Sequence, residues 1–182
     1  MARRSNTQTL ALWANGTYVG RWTVNARGDM ELQYDPAWRA SAVGRPLSLS
    51  LPFGLGDEPL KGPAVEHYFD NLLPDSEAIR QRVRARFGTR TGEPFELLRT
   101  VGRDCVGALQ LLPEGVKPEG VKKIQVTPLD DAGIERLLRT AVSEPIAAED
   151  EDDDDFRISI AGAQEKTALT LHEGRWCKPH AS

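Results

Sequence analysis

Between two alternating apolar runs, residues 157–171 (RISIAGAQEKTALTL) carry a cluster of small side chains. Ile158 and Ile160 share one side of a predicted strand, which leaves Ser159 on the other. Ala161-Gly162-Ala163 then makes a turn almost without side-chain bulk. Its N–H groups can approach a ligand closely and point inward as an anion nest. Lys166, at the start of the next run, adds a positive charge. This chemistry suits the phosphates of a nucleotide. The stretch has one glycine where a kinase-type loop has three, and no Walker lysine motif, so the same residues also describe a plain tight turn.

Other reactive residue types fall into blander patterns. Asp104-Cys105 has no histidine nearby in sequence to activate the thiol, and Cys105 leads into an apolar run, so it reads as core. Cys105 and Cys177 lack metal-type spacing, as buried thiols in a reducing compartment do. His67, His172 and His180 form no i, i+4 ligand pair, which argues against a metal site. Asp70, Asn71 and Asp75 flank a predicted helix end and read as caps. Residues 149–155 (EDEDDDD) are acidic, and removing those seven charges would turn the net charge of −4 into +3. The middle of the chain is locally basic, with Arg80, Arg82, Arg84, Arg86, Arg90, Arg99 and Arg103. No aromatic residues interleave with them, as a single-strand nucleic-acid binder would require, so a solvated helix face is the simpler reading.

The elements that must position these residues follow from local pattern. The chain has 182 residues, 40% hydrophobic and 27% charged, as for a globular protein. No apolar run approaches the length of a membrane span, and the N-terminus reads as a short leader without a signal-peptide core. Runs at 9–13, 18–24 and 29–34, separated by Asn15-Gly16 and Arg27-Gly28-Asp29, predict an antiparallel meander. Residues 36–41 predict one helical turn. Alternating Leu47, Leu49 and Leu51 in 45–52 predict an edge strand with its leucines on one face. Pro63 starts a helix with Val65, Phe69, Leu72 and Leu73 on one side, stopped by Pro74. Asp75 or Ser76 caps a second helix bearing Ile79, Val83 and Phe87, closed by Gly88. Residues 94–102 predict a third helix, 106–113 a strand, 114–128 a loop and 129–141 an amphipathic helix. After the acidic run, 156–160, 166–171 and 175–178 predict strands, with a turn at 173–175. This last ribbon has few partners left in the sequence, and a lone hairpin is marginal in water. It reads as the opening of a further domain.

Four stretches together resemble one family, the HipA-like toxin kinases of bacterial type II toxin–antitoxin modules. They are RPLSLSLP (45–52), YFDNLLPDS (68–76), RVRARFGTRTGEPFELLRTVGRDCVGAL (82–109) and FRISIAGAQEKTAL (156–169). The resemblance runs from about residue 9 to residue 178. It implies an α+β fold in three parts: an N-terminal subdomain (1–112) with a β-meander and packed helices, a helical connection with an acidic loop (113–155), and the first β-ribbon of an incomplete kinase-like lobe (156–182). It implies a cytoplasmic protein Ser/Thr kinase using ATP and Mg²⁺ on substrates such as glutamyl-tRNA synthetase, which favours persistence. It also implies a partner, a HipB-like antitoxin whose DNA-binding dimer brings the kinase to operator DNA. Ala161, Gly162, Ala163, Gln164, Glu165 and Lys166 match the family's ATP phosphate-binding loop, and Ser159 matches its autophosphorylated serine. The family's catalytic Asp and Mg²⁺ ligands lie a couple of hundred residues further on and have no counterpart before Ser182. The chain is therefore expected to be inactive alone, as a fragment of a full-length kinase. A stand-alone module that binds and neutralises a separate kinase chain is the alternative, distinguished by whether the reading frame continues past Ser182.

Overall fold

The computed structural model describes residues 7–120, 123–142 and 167–180. Strands β1 (Gln8–Ala14), β2 (Thr17–Val24) and β3 (Met30–Tyr34) form the expected meander. Asn15 and Gly16, at φ 49° and 77°, make the two-residue turn whose twist matches the flanking strands. The ladder slips between Leu12 and Trp13, so β2 carries an extra residue there. Gly20 sits at this bulge at φ 154°, and a Cβ on it would lie 2.1 Å from the Gln33 carbonyl oxygen. Only glycine lets β3 approach so closely.

Asp35 caps helix α1 (Pro36–Ala40) by accepting from the Ala37 N–H at 2.9 Å, with Pro36 in the first turn. A two-residue strand β4 (Leu60–Lys61) follows, then α2 (Pro63–Asp70), α3 (Glu77–Phe87) and α4 (Pro94–Val101). Strand β5 (Leu109–Pro113) closes a five-stranded antiparallel sheet in the order β4-β3-β2-β1-β5. Helical residues Trp38, Val65, Phe69, Phe95, Leu97 and Leu98 share one buried cluster with Leu10, Leu12, Trp22 and Leu32 of the sheet. Trp22 is at its centre, stacked on Phe69 with ring centroids 3.9 Å apart and planes 8° from parallel, and tilted against Phe95 at 4.8 Å. The expected face Val65/Phe69/Leu72/Leu73 is buried, and of the face Ile79/Val83/Phe87 Val83 is buried while Ile79 and Phe87 are partly buried against the core.

Three expectations need correction. Residues 45–52 are not a strand: the Ser48 hydroxyl accepts from the Ser50 N–H at 3.2 Å and the Ser48 carbonyl from the Leu51 N–H at 3.0 Å, which folds the segment into a turn. Leu51 is buried while Leu49 is fully exposed, so the three leucines do not share a face. Residues 114–128 are not all loop, because Gln125–Pro128 form β6. Nor does the final ribbon lack partners. Its strands β7 (Thr170–His172) and β8 (Arg175–His180) join β6 in a second sheet ordered β6-β8-β7, and helix α5 (Asp131–Val142) leads away from β6.

Candidate phosphate-binding site

The residues singled out for phosphate chemistry, Ser159 and Ala161, Gly162, Ala163, Gln164, Glu165 and Lys166, lie outside the described residues. The structure does describe the sheet that follows them. Lys166 precedes the first residue of β7 by four positions. β7 and β8 form a hairpin through Glu173 and Gly174, both at positive φ (50° and 76°), with Leu171 opposite Trp176 and Thr170 opposite Cys177. Cys177 is buried, and two hydrogen bonds fix the other side: the Leu129 N–H donates to the Trp176 carbonyl at 2.8 Å, and Thr127 Oγ1 lies 2.6 Å from His180 Nε2. Asp130 caps α5 by accepting from the Gly133 N–H at 2.7 Å. In sequence order β6 and α5 thus precede the candidate residues, and β7 and β8, of the same sheet as β6, follow them. No periodicity marked β6 as a strand; its identity depends on pairing with β8, residues up to 55 positions away.

The remaining candidates resolve into structural roles. Burial, with a smaller contribution from Asp104, pushes the Cys105 thiol up to about 12. It donates to the Gly102 carbonyl at 3.4 Å, so it stays protonated at neutral pH and is not a nucleophile. His172 faces its neighbour Glu173 at 3.9 Å, and His180 faces Thr127. Among the described residues, no group of three His, Cys, Asp or Glu side chains is placed to hold a metal ion. No described residue is therefore assigned as a Mg²⁺ ligand.

The arginine cluster is not one solvated face. Arg80 is nearly buried, and its guanidinium donates to the Pro74 carbonyl at 2.7 Å, the Asp70 carboxylate at 2.7 Å and the Asp70 carbonyl at 3.3 Å. It clamps the corner between α2 and α3, and Asp70 serves that clamp rather than a helix cap. Arg84 donates to the Arg90 carbonyl at 3.1 Å, across the end of α3. Sequence reasoning missed this clamp, although Asp70 and Arg80 bracket a Pro-containing corner. Replacing Arg80 with alanine removes the donor to two carbonyls and to a carboxylate that is 42% exposed and regains water, and a loss of about 1–2 kcal/mol is expected. Urea unfolding checks it: a loss below about 0.5 kcal/mol, the size of an ordinary surface change, would show that the clamp carries no stability.

The described geometry defines an α+β protein, an antiparallel five-stranded sheet with helices packed against it, followed in sequence by a small second sheet. The chain belongs to the HipA N-terminal domain family, which matches residues 10–112. It is similar to "Putative kinase Y4mE" of Sinorhizobium fredii, 37% identical over 175 residues, which cover 94% of this chain and 40% of that protein. It is also similar to "Serine/threonine-protein kinase toxin HipA" of Shewanella oneidensis, 25% identical over 91% of this chain and 36% of the relative. The chain spans about two fifths of the length of these curated relatives. Its fold resembles that in the Shewanella oneidensis MR-1 complex of HipA, HipB and operator DNA, with a TM-score of 0.64 at 22% identity. That match covers 95% of this chain and 38% of the other.

Proposed function

We propose that this chain is the N-terminal portion of a HipA-like Ser/Thr protein kinase toxin. In this reading residues 1–112 are the N-terminal subdomain, 113–155 the connection, and 156–182 the start of the kinase-like lobe. Backbone N–H groups of Ala161, Gly162 and Ala163 bind ATP phosphates, Lys166 adds charge, and Gln164 and Glu165 complete the loop. ATP with Mg²⁺ would supply the transferred phosphoryl group, and the general base and metal ligands would come from a kinase region beyond residue 182. Ser159 is the autophosphorylation site. The partner is a HipB-like antitoxin dimer that links the kinase to operator DNA, and the substrate is a translation factor such as glutamyl-tRNA synthetase in the cytoplasm. The observation that carries the reading is that two proteins named as kinases align with more than nine tenths of this chain, the loop segment included.

The test is phosphoryl transfer from labelled ATP to glutamyl-tRNA synthetase. The 182-residue chain alone is expected to give no transfer above a blank, and a form extended through the kinase region is expected to label the synthetase. Chain-dependent labelling by the 182-residue form would overturn the division of labour between the two parts. ATP binding without labelling by the extended form would remove the synthetase from the reading.

A further inference from the structure

Residues 41–59 run between α1 and β4 without strand or helix, yet side chains of the preceding elements hold them along their length. Trp38 Nε1 donates to the Arg45 carbonyl at 2.9 Å. The buried Tyr34 hydroxyl accepts from the Leu47 N–H at 2.9 Å and donates to the Leu51 carbonyl at 2.8 Å. Arg39 donates to the Gly54 carbonyl at 2.8 Å and pairs with the Asp57 carboxylate, and Gln33 donates to the Asp57 carbonyl at 2.7 Å. Leu51 is buried, and Leu47 and Phe53 pack against the core. From this fixed frame Leu49 and Leu55 project with 101% and 109% exposure. Each stands between two small residues, Ser48 and Ser50 or Gly54 and Gly56. A Cβ added at Gly56 would meet nothing within 4 Å. An opposing surface can therefore close around either leucine down to the main chain. These are two apolar knobs on a loop that is already ordered, which lowers the entropic cost of docking.

We infer that the 41–59 loop seats this domain on the kinase body, with Leu49 and Leu55 as its apolar anchors. The inference rests on the kinase reading above. Two observations select this occupant. This chain covers only 40% and 36% of the relatives named as kinases, so in them a domain like this one shares its polypeptide with a larger body. The charged residues of the loop are of both signs, Arg45 against Asp57 and Glu58, with Asp57 paired to Arg39. Such a rim suits a protein surface and does not suit anionic lipid or a nucleic-acid backbone.

Calorimetric titration tests this. The 182-residue chain is titrated with the kinase region expressed separately, from the sequence downstream of codon 182 or from the adjacent frame. The wild-type chain is expected to bind saturably. A Leu49→Ser, Leu55→Ser double variant is expected to keep its thermal midpoint, because both side chains are in solvent, and to bind at least about 100-fold more weakly. Val106→Ser, at a half-exposed apolar residue outside the loop, should bind as wild type. Absence of wild-type binding, absence of any such kinase region, or equal affinity of the double variant would overturn the proposal. So would leucine-dependent partition of the chain into neutral phosphatidylcholine vesicles. Equal affinity with synthetase labelling intact would remove the docking loop and leave the kinase reading standing; leucine-dependent docking with no ATP binding by the reassembled pair would do the reverse.

Discussion

Replacing Trp22 with alanine is expected to remove about 3–5 kcal/mol from the stability of the five-stranded domain. Trp22 is fully buried and lies between the sheet and two helices, against Phe69 of α2 and Phe95 of α4. Its removal leaves a cavity that a rigid sheet cannot collapse into, and it takes away the contact through which both helices are registered on β2. Because a domain of this size holds only about 5–15 kcal/mol in total, the variant should unfold at a much lower urea concentration. Trp22→Phe should cost far less. The Trp22 Nε1–H is buried and meets no acceptor, a condition that itself costs about 1–3 kcal/mol. Phenylalanine keeps the stacking partner and dispenses with that donor. Urea unfolding of both variants checks this: equal losses for alanine and phenylalanine, or an alanine loss below about 1 kcal/mol, smaller than any ordinary core truncation, would show that the stack is not the keystone.

Phosphorylation of Ser159 is expected to weaken ATP binding by the form that carries the kinase region. If residues 156–160 form the strand expected from their alternation, Ser159 would face away from Ile158 and Ile160, directly before the small residues 161–163. A phosphoserine there adds about −1.5 to −2 charge beside the proposed seat of a triphosphate. Outward movement of the segment would relieve the repulsion, and Ala161, Gly162 and Ala163 bring little side-chain bulk to oppose it. ATP affinity is expected to fall at least about tenfold, equivalent to 1.4 kcal/mol. Ser159→Ala should keep ATP binding and lose autophosphorylation. Nucleotide titration of the phosphorylated, unmodified and alanine forms decides the matter; equal affinity of the first two sinks the switch.

Features that act within a few residues were legible in the sequence. Asn15-Gly16 dictated a hairpin because both residues tolerate positive φ, and both adopt it. Pro63 marked the start of α2, and the four-residue recurrence of Val65 and Phe69 marked its buried side. Gly88 marked the end of α3. The family was legible for a related reason: long ordered motifs survive as sequence even where no single residue proves a role. Only the tertiary structure decided the rest. The alternation of Leu47, Leu49 and Leu51 matches a strand, but the Ser48 hydroxyl reaches the Ser50 N–H, and the Tyr34 hydroxyl, thirteen residues from Leu47, holds both limbs of the resulting loop. β6 has no pattern of its own and becomes a strand because β8 supplies its ladder from the far end of the chain. Arg80 looked like one charge among many until α2 and α3 met at a corner that brought Asp70 to it. Propensity and turn chemistry are set by neighbours in sequence, whereas a ladder, a clamp or a loop anchor exists only once distant backbone and side-chain groups have been brought within hydrogen-bond reach.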